Sequence, residues 1–79
     1  MDIIIEAASP KNQKLVNKTY KKSRQYHDAI NYASENNLSE DTPKIDKIFN
    51  DGLLLLQELS IKEKANFNKQ YFKLHGYEP

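Results

Sequence analysis

Thr42-Pro43-Lys44-Ile45-Asp46-Lys47-Ile48-Phe49-Asn50-Asp51-Gly52-Leu53-Leu54-Leu55-Leu56-Gln57-Glu58-Leu59-Ser60 holds the choice between an all-helical chain and one built on a hairpin. Asp51-Gly52 is a strong turn signal between two strands. The apolar residues before it, Ile45, Ile48 and Phe49, are spaced three and four apart, the interval of a helix and not the two of a strand. As a helix, Ile45, Ile48, Phe49, Gly52, Leu53, Leu55, Leu56 and Leu59 share one face, and Leu54 points away among polar residues. The stretch therefore predicts a helix over 43–59, with Thr42 as N-cap and Pro43 at the first position, where a missing N–H loses nothing. Gly52 inside it costs about 1 kcal/mol relative to Ala, a cost offset if the bare backbone lets another helix approach closely.

Downstream, Ser60-Ile61-Lys62-Glu63 has the form of a capping box, in which Ser60 accepts from the Glu63 amide and Glu63 reaches back to the Ser60 amide. It opens a helix over 61–75, ended by His75-Gly76-Tyr77 with Gly76 left-handed and Tyr77 folding back on Phe72. Its apolar arc of Ile61, Ala65, Phe67, Tyr71, Phe72 and Leu74, interrupted by Lys64, Asn68 and His75, is broad enough to touch two neighbours, with Lys62, Lys69 and Lys73 on the far side. His75 suits a C-terminal cation opposing the helix dipole.

Upstream, Ser9-Pro10 predicts a cap and start for a helix over 10–36, with Asn37 and Leu38 over Ala33 as a weaker version of the glycine ending. One arc of this helix holds Leu15, Val16, Thr19, Tyr20, Ser23, Tyr26, His27, Ile30 and Ala33. Lys11, Lys14, Lys18, Lys21 and Lys22 fall nearly opposite, with Arg24 at the margin. At ~1.5 Å per residue this rod runs ~40 Å against ~25 Å for the second, so one end overhangs. Residues 1–8 stay open between a strand around Ile3-Ile4-Ile5 and a fourth short helix. The expected fold is all-α: a small three-helix bundle with a long first helix and a short N-terminal segment, one domain over residues 1–79.

Composition bounds the function. The chain has 79 residues. Leu, Ile, Val and Phe make up 19 of them, enough for a folded but thin core. The absence of cysteine excludes disulfides, thiolate metal sites and cysteine nucleophiles, and fits a reducing cytoplasm. The only long apolar run is Leu53 to Leu56, and Asp2 and Glu6 stand where a secretory signal carries positive charge, so no membrane partner is expected.

The inventory for catalysis is poor. Ser23, His27 and Asp28 superficially form a nucleophile, base and acid, but Asp28 lies ~100° around the helix from His27 and cannot orient its ring within the same cleft. Neither histidine has an acidic or histidine partner four residues away, and no glycine-rich phosphate loop is present. The expectation is a protein without enzymatic activity, cofactor or metal.

Charge is distributed more tellingly than the net +1 suggests. Residues 11–27 carry six cations and no acid, whereas residues 28–58 carry seven acids and two lysines. The basic face of Lys11, Lys14, Lys18, Lys21, Lys22 and Arg24 has three readings: a solvated surface that favours helix and keeps a thin-cored chain in solution, a match for an acidic patch on a protein, or, through phosphate contacts, a site for nucleic acid. One arginine among the cations argues against sequence-specific reading of bases. Tyr20, Tyr26, His27 and Leu54 are the candidate protein-interface residues, tyrosine offering rigid area with a polar tip. The expected function is a small regulatory protein that modulates a larger one by direct contact, of the inhibitor, immunity or antitoxin type encoded by phages and plasmids. The alternatives are a nucleic-acid accessory protein using the basic face and a self-associating helical module, a homo-oligomer joined through the overhanging helix.

Overall fold

The computed structural model describes residues 5–79, so any structure of residues 1–4 lies outside the described residues. A single 3-10 turn, Pro10–Asn12, leads directly into α1, Gln13–Glu35; α2 spans Pro43–Glu58 and α3 spans Ile61–His75. The chain is an all-α three-helix bundle, measuring 40 × 24 × 19 Å. Tyr26 of α1 meets Phe49 of α2, and Lys22 meets Gly52, so α1 and α2 run antiparallel. Glu63 lies beside Ala8, Ser9 and Asn12, while Tyr71 and His75 lie beside Tyr20. α3 therefore runs parallel to α1.

The Asp51-Gly52 turn does not form; the helical spacing of Ile45, Ile48 and Phe49 prevails, and α2 passes through both residues. Thr42 caps it as expected, accepting from the Ile45 amide at 3.3 Å. The neighbour at Gly52 is not a helix backbone: a Cβ there would lie 3.4 Å from Cγ of Lys22, a flexible stem.

Three other expectations are corrected. Ser9 forms no side-chain cap. Ser60 accepts from Glu63 N at 3.2 Å, but the carboxyl of Glu63 does not complete the box. It turns inward, 2% exposed, and accepts from the amides of Ala8 and Ser9 and from Asn12 Nδ2. Three donors on the incoming chain outbid the single amide of Ser60. The two helix endings also exchange roles. Asn37, at φ 55°, forms the double Schellman pattern, with Leu38 N bonded to Ala33 O at 2.7 Å and Asn37 N to Ser34 O at 3.3 Å. Gly76, at φ 75°, makes the simpler single bond to Phe72 O, and Tyr77 turns away from Phe72 toward α1.

Residues 5–9 form neither a ladder strand nor a helix. They make an extended strap whose backbone is paired by side chains. Gln70 offers Oε1 to Glu6 N at 3.0 Å and Nε2 to Glu6 O at 2.6 Å. Gln13 does the same on the other side, accepting from Ala7 N at 3.0 Å and donating to Ile5 O at 2.8 Å. Asn66 adds a donor to Glu6 O at 2.8 Å. The amide side chains stand in for neighbouring strands, satisfying groups that would be costly to bury unpaired.

The strap delivers Ile5 into a core with Val16, Leu59, Phe67 and Tyr71, flanked by Ala7, Leu15, Tyr20 and Leu56. This core sits at the end where α1 and α3 begin and α2 finishes. Beyond α3, Ala33, Ile45 and Ile48 are buried, and Tyr32 and Leu38 stay exposed on the overhang.

Glu63→Ala strands the amides of Ala8 and Ser9 and is expected to cost about 2–5 kcal/mol in urea denaturation, with Glu63→Gln costing less. A loss under about 1 kcal/mol for the alanine variant would show that the strap is held otherwise. Gly52→Ala is expected to raise stability by up to about 1 kcal/mol, because the Lys22 stem can yield; a lower melting temperature would restore the requirement for a bare backbone.

Candidate functional site

The cations of α1 divide into two groups. Lys11, Lys14, Lys18 and Lys21 are exposed along one face, the first in the 3-10 turn. Gln25 and Tyr32 continue the row, Tyr32 being 64% exposed. Lys22 is half-buried and lines the α1–α2 groove. Arg24 leaves the basic face: its guanidinium donates to the hydroxyls of Tyr71 and Tyr77 and pairs with Asp28 Oδ1 at 3.6 Å. The hydrogen bond to Tyr77, and secondarily that to Tyr71, hold it more firmly protonated than an ordinary arginine.

The expected interface residues also part company. Tyr20 is half-buried against the core, its ring edge-on to Tyr71 at 5.7 Å and its hydroxyl sharing a 3.0 Å hydrogen bond with His75 Nε2. Burial raises its pKa. Tyr26 is half-buried, 5.2 Å from the Phe49 ring between centroids. His27 bonds through Nε2 to the carbonyl of Glu78 at 3.2 Å, and its ring stands 4.7 Å from Tyr77. His27 and Arg24 thus tie the C-terminal tail to α1, while Tyr20 joins α1 to α3 and Tyr26 joins it to α2. Leu54 alone faces water, 61% exposed, as its place on the helix predicts. Asp28 turns to Arg24 and makes no contact with His27 that would orient its ring.

His75 stands in the last turn of α3, where a cation would oppose the helix dipole, but burial, then Arg24, then His27 lower its pKa and disfavour its charged form; the ring bonds to Tyr20. Burial also lowers His27, aided by Arg24 and opposed by the Glu78 carbonyl and Asp28.

A shallow groove between α1 and α2 is lined by Thr19, Ser23, Tyr26, Phe49 and Leu53, with Pro79 at its rim. Ser23 Oγ is buried there without a hydrogen-bond partner among the described residues. Phe49 and Leu53, expected in the core, remain 45% and 40% exposed because the groove is open.

The larger surprise is α3. Only Phe67 and Tyr71 of its broad apolar arc are buried. Ile61 is 88% exposed and Phe72 57%, and Ala65 and Asn68 between them are exposed too. The inward side of α3 is set by Glu63, Phe67, Gln70 and Tyr71, and the two-neighbour reading of the arc is replaced by one covered and one open face. The signal was present in the spacing of residues 61, 65, 68 and 72, but only the strap shows which side is inward.

Among the described residues no helix is long and apolar enough to cross a membrane. No protein-family model, curated protein or solved structure matches this chain.

Both histidines bind protons more readily in the unfolded chain, where their pKa is about 6.5. The contribution of their neutral forms is complete above that value and is lost as pH falls through the lower folded values. Melting temperature is expected to decline on acidification below about pH 6.5, less steeply in a His27→Gln/His75→Gln variant. Equal slopes for both proteins would remove the histidines as the cause.

Proposed function

We propose that this chain is a small non-enzymatic binding protein that regulates a larger protein by covering part of its surface, in the manner of an inhibitor, immunity protein or antitoxin. The observation that carries the reading is large apolar area turned outward on a chain with a thin core: Ile61, Tyr32, Leu54 and Phe72 are 88%, 64%, 61% and 57% exposed. Burying a side chain of this size is worth about 1.5–3 kcal/mol. Scattered single leucines need no explanation, but Ile61 and Phe72 lie on one helical face. The aromatic and aliphatic groups supply contact area, and the exposed lysines of α1 favour an acidic surface and speed encounter.

The row Lys11, Lys14, Lys18 and Lys21 also favours a second reading, an accessory protein held on nucleic acid through phosphate contacts. Affinity capture from an extract of the source cells, beside anisotropy with labelled DNA and RNA at low and high salt, separates the two. The leading reading expects a discrete protein complex of fixed stoichiometry and no retention of nucleic acid. Retention at low salt that disappears in a Lys14→Glu/Lys18→Glu/Lys21→Glu variant, with no protein captured, would replace it by the second.

A further inference from the structure

We infer that the outer face of α3 is a short coiled-coil seam that receives an acidic amphipathic helix of a partner protein, an inference that rests on the protein-binding reading. Ile61, Ala65, Asn68 and Phe72 are spaced four, three and four apart, the alternation of core positions in a heptad. They occupy an arc of about 60°. All four are exposed, and Glu63 and Gln70, which hold the strap, lie on the opposite side of the same helix. α3 is thus fixed to its own bundle by one side while the other presents a line of Ile61, Ala65 and Phe72, interrupted by Asn68, about 17 Å long.

The width of the line favours a helix over a membrane surface. A face that enters lipid is broad and apolar, whereas a seam confined to the two heptad core positions is narrow. Asn68 is a polar break in the middle of the seam and lowers the stability of any pairing through it. Ala65 lets a partner backbone approach between the larger Ile61 and Phe72.

The flanks decide the partner's charge. With Ile61 and Asn68 at one core position of the heptad and Ala65 and Phe72 at the other, the positions beside the seam are Lys62 and Lys69 on one edge, and on the other Lys64 and Tyr71, the latter buried in the chain's own core, so the flanking charge is carried by three lysines. Such residues select partners through pairs across the interface. Two copies of α3 pairing through this seam would bring like charges together, so the face is unsuited to self-association and fits a helix bordered by Glu or Asp. With little more than three turns of seam, the contact is weak and reversible unless the α1 lysines add to it.

The test uses the whole chain with three synthetic helical peptides of matching length: a heptad seam flanked by Glu, the same seam flanked by Lys, and the Glu peptide with its apolar residues moved out of register. Saturable binding of the first alone is expected, measured by fluorescence anisotropy and weakened by salt. Ile61→Glu/Phe72→Glu is expected to reduce affinity by roughly tenfold or more while leaving melting unchanged, since both side chains are exposed. No binding of the Glu-flanked peptide, equal binding of the out-of-register peptide, or full binding by the double variant each overturns the inference. So does a concentration-dependent dimer, or attachment to phosphatidylglycerol vesicles in preference to the peptide, if Ile61→Glu/Phe72→Glu abolishes it. Should the peptide fail while a captured partner is released by Lys14→Glu/Lys18→Glu/Lys21→Glu, the seam falls and the protein-binding reading stands through α1.

Discussion

The carboxyl group of Glu63 is the point on which the bundle turns. It sits in the first turn of α3, is almost wholly buried, and gathers the amides of Ala8 and Ser9 and the side chain of Asn12. One side chain thereby fixes where α3 begins relative to where α1 begins and anchors the extended segment between them. That segment carries Ile5 over Val16, Phe67 and Tyr71. With few large apolar residues in the chain, the closure supplied by one isoleucine is a substantial part of the core. Polar pairing and apolar burial are inseparable here, because the strap reaches the core only if its backbone is satisfied on the way.

The same constraint gives α3 its two characters. Glu63, Asn66 and Gln70 attend to the strap, Phe67 and Tyr71 fill the interior, and Arg24 gathers the hydroxyls of Tyr71 and Tyr77 at the other end. Every contact that orients the helix comes from one half of its circumference. The remaining half, with Ile61 and Phe72, is left out of the fold by geometry and not by polarity.

The architecture was legible because helix periodicity is a local property. The spacing of Ile45, Ile48 and Phe49 overruled the Asp51-Gly52 turn signal, and Thr42 and Ser60 marked helix starts within a residue of where they fall. The strap was not legible: Gln13, Asn66 and Gln70 are ordinary surface residues for a helix until an extended segment lies against them. Glu63 was read as a local reciprocal cap, since residues three apart advertise that bond and residues 55 apart do not. The outward position of Leu54 is legible because it breaks a periodic face. Tyr20, Tyr26 and His27 were placed at an interface, but they bind the chain's own third helix, second helix and tail. Ile61 and Phe72 were assigned to the interior because periodicity reports that a face is apolar, not whether anything covers it.

The position of the core along the bundle has a consequence for motion. Past the end of α3, α1 and α2 continue as a pair around Ala33, Ile45 and Ile48, turning through a linker whose exposed residues run from Asn36 to Asp41. Little apolar surface resists separation there, whereas three helices and the strap clamp the opposite pole. Such regions open at lower free energy than the rest of a protein. The molecule is shaped like a pair of tongs pinned at one extremity, whose tips are expected to exchange their amide protons before the pin does.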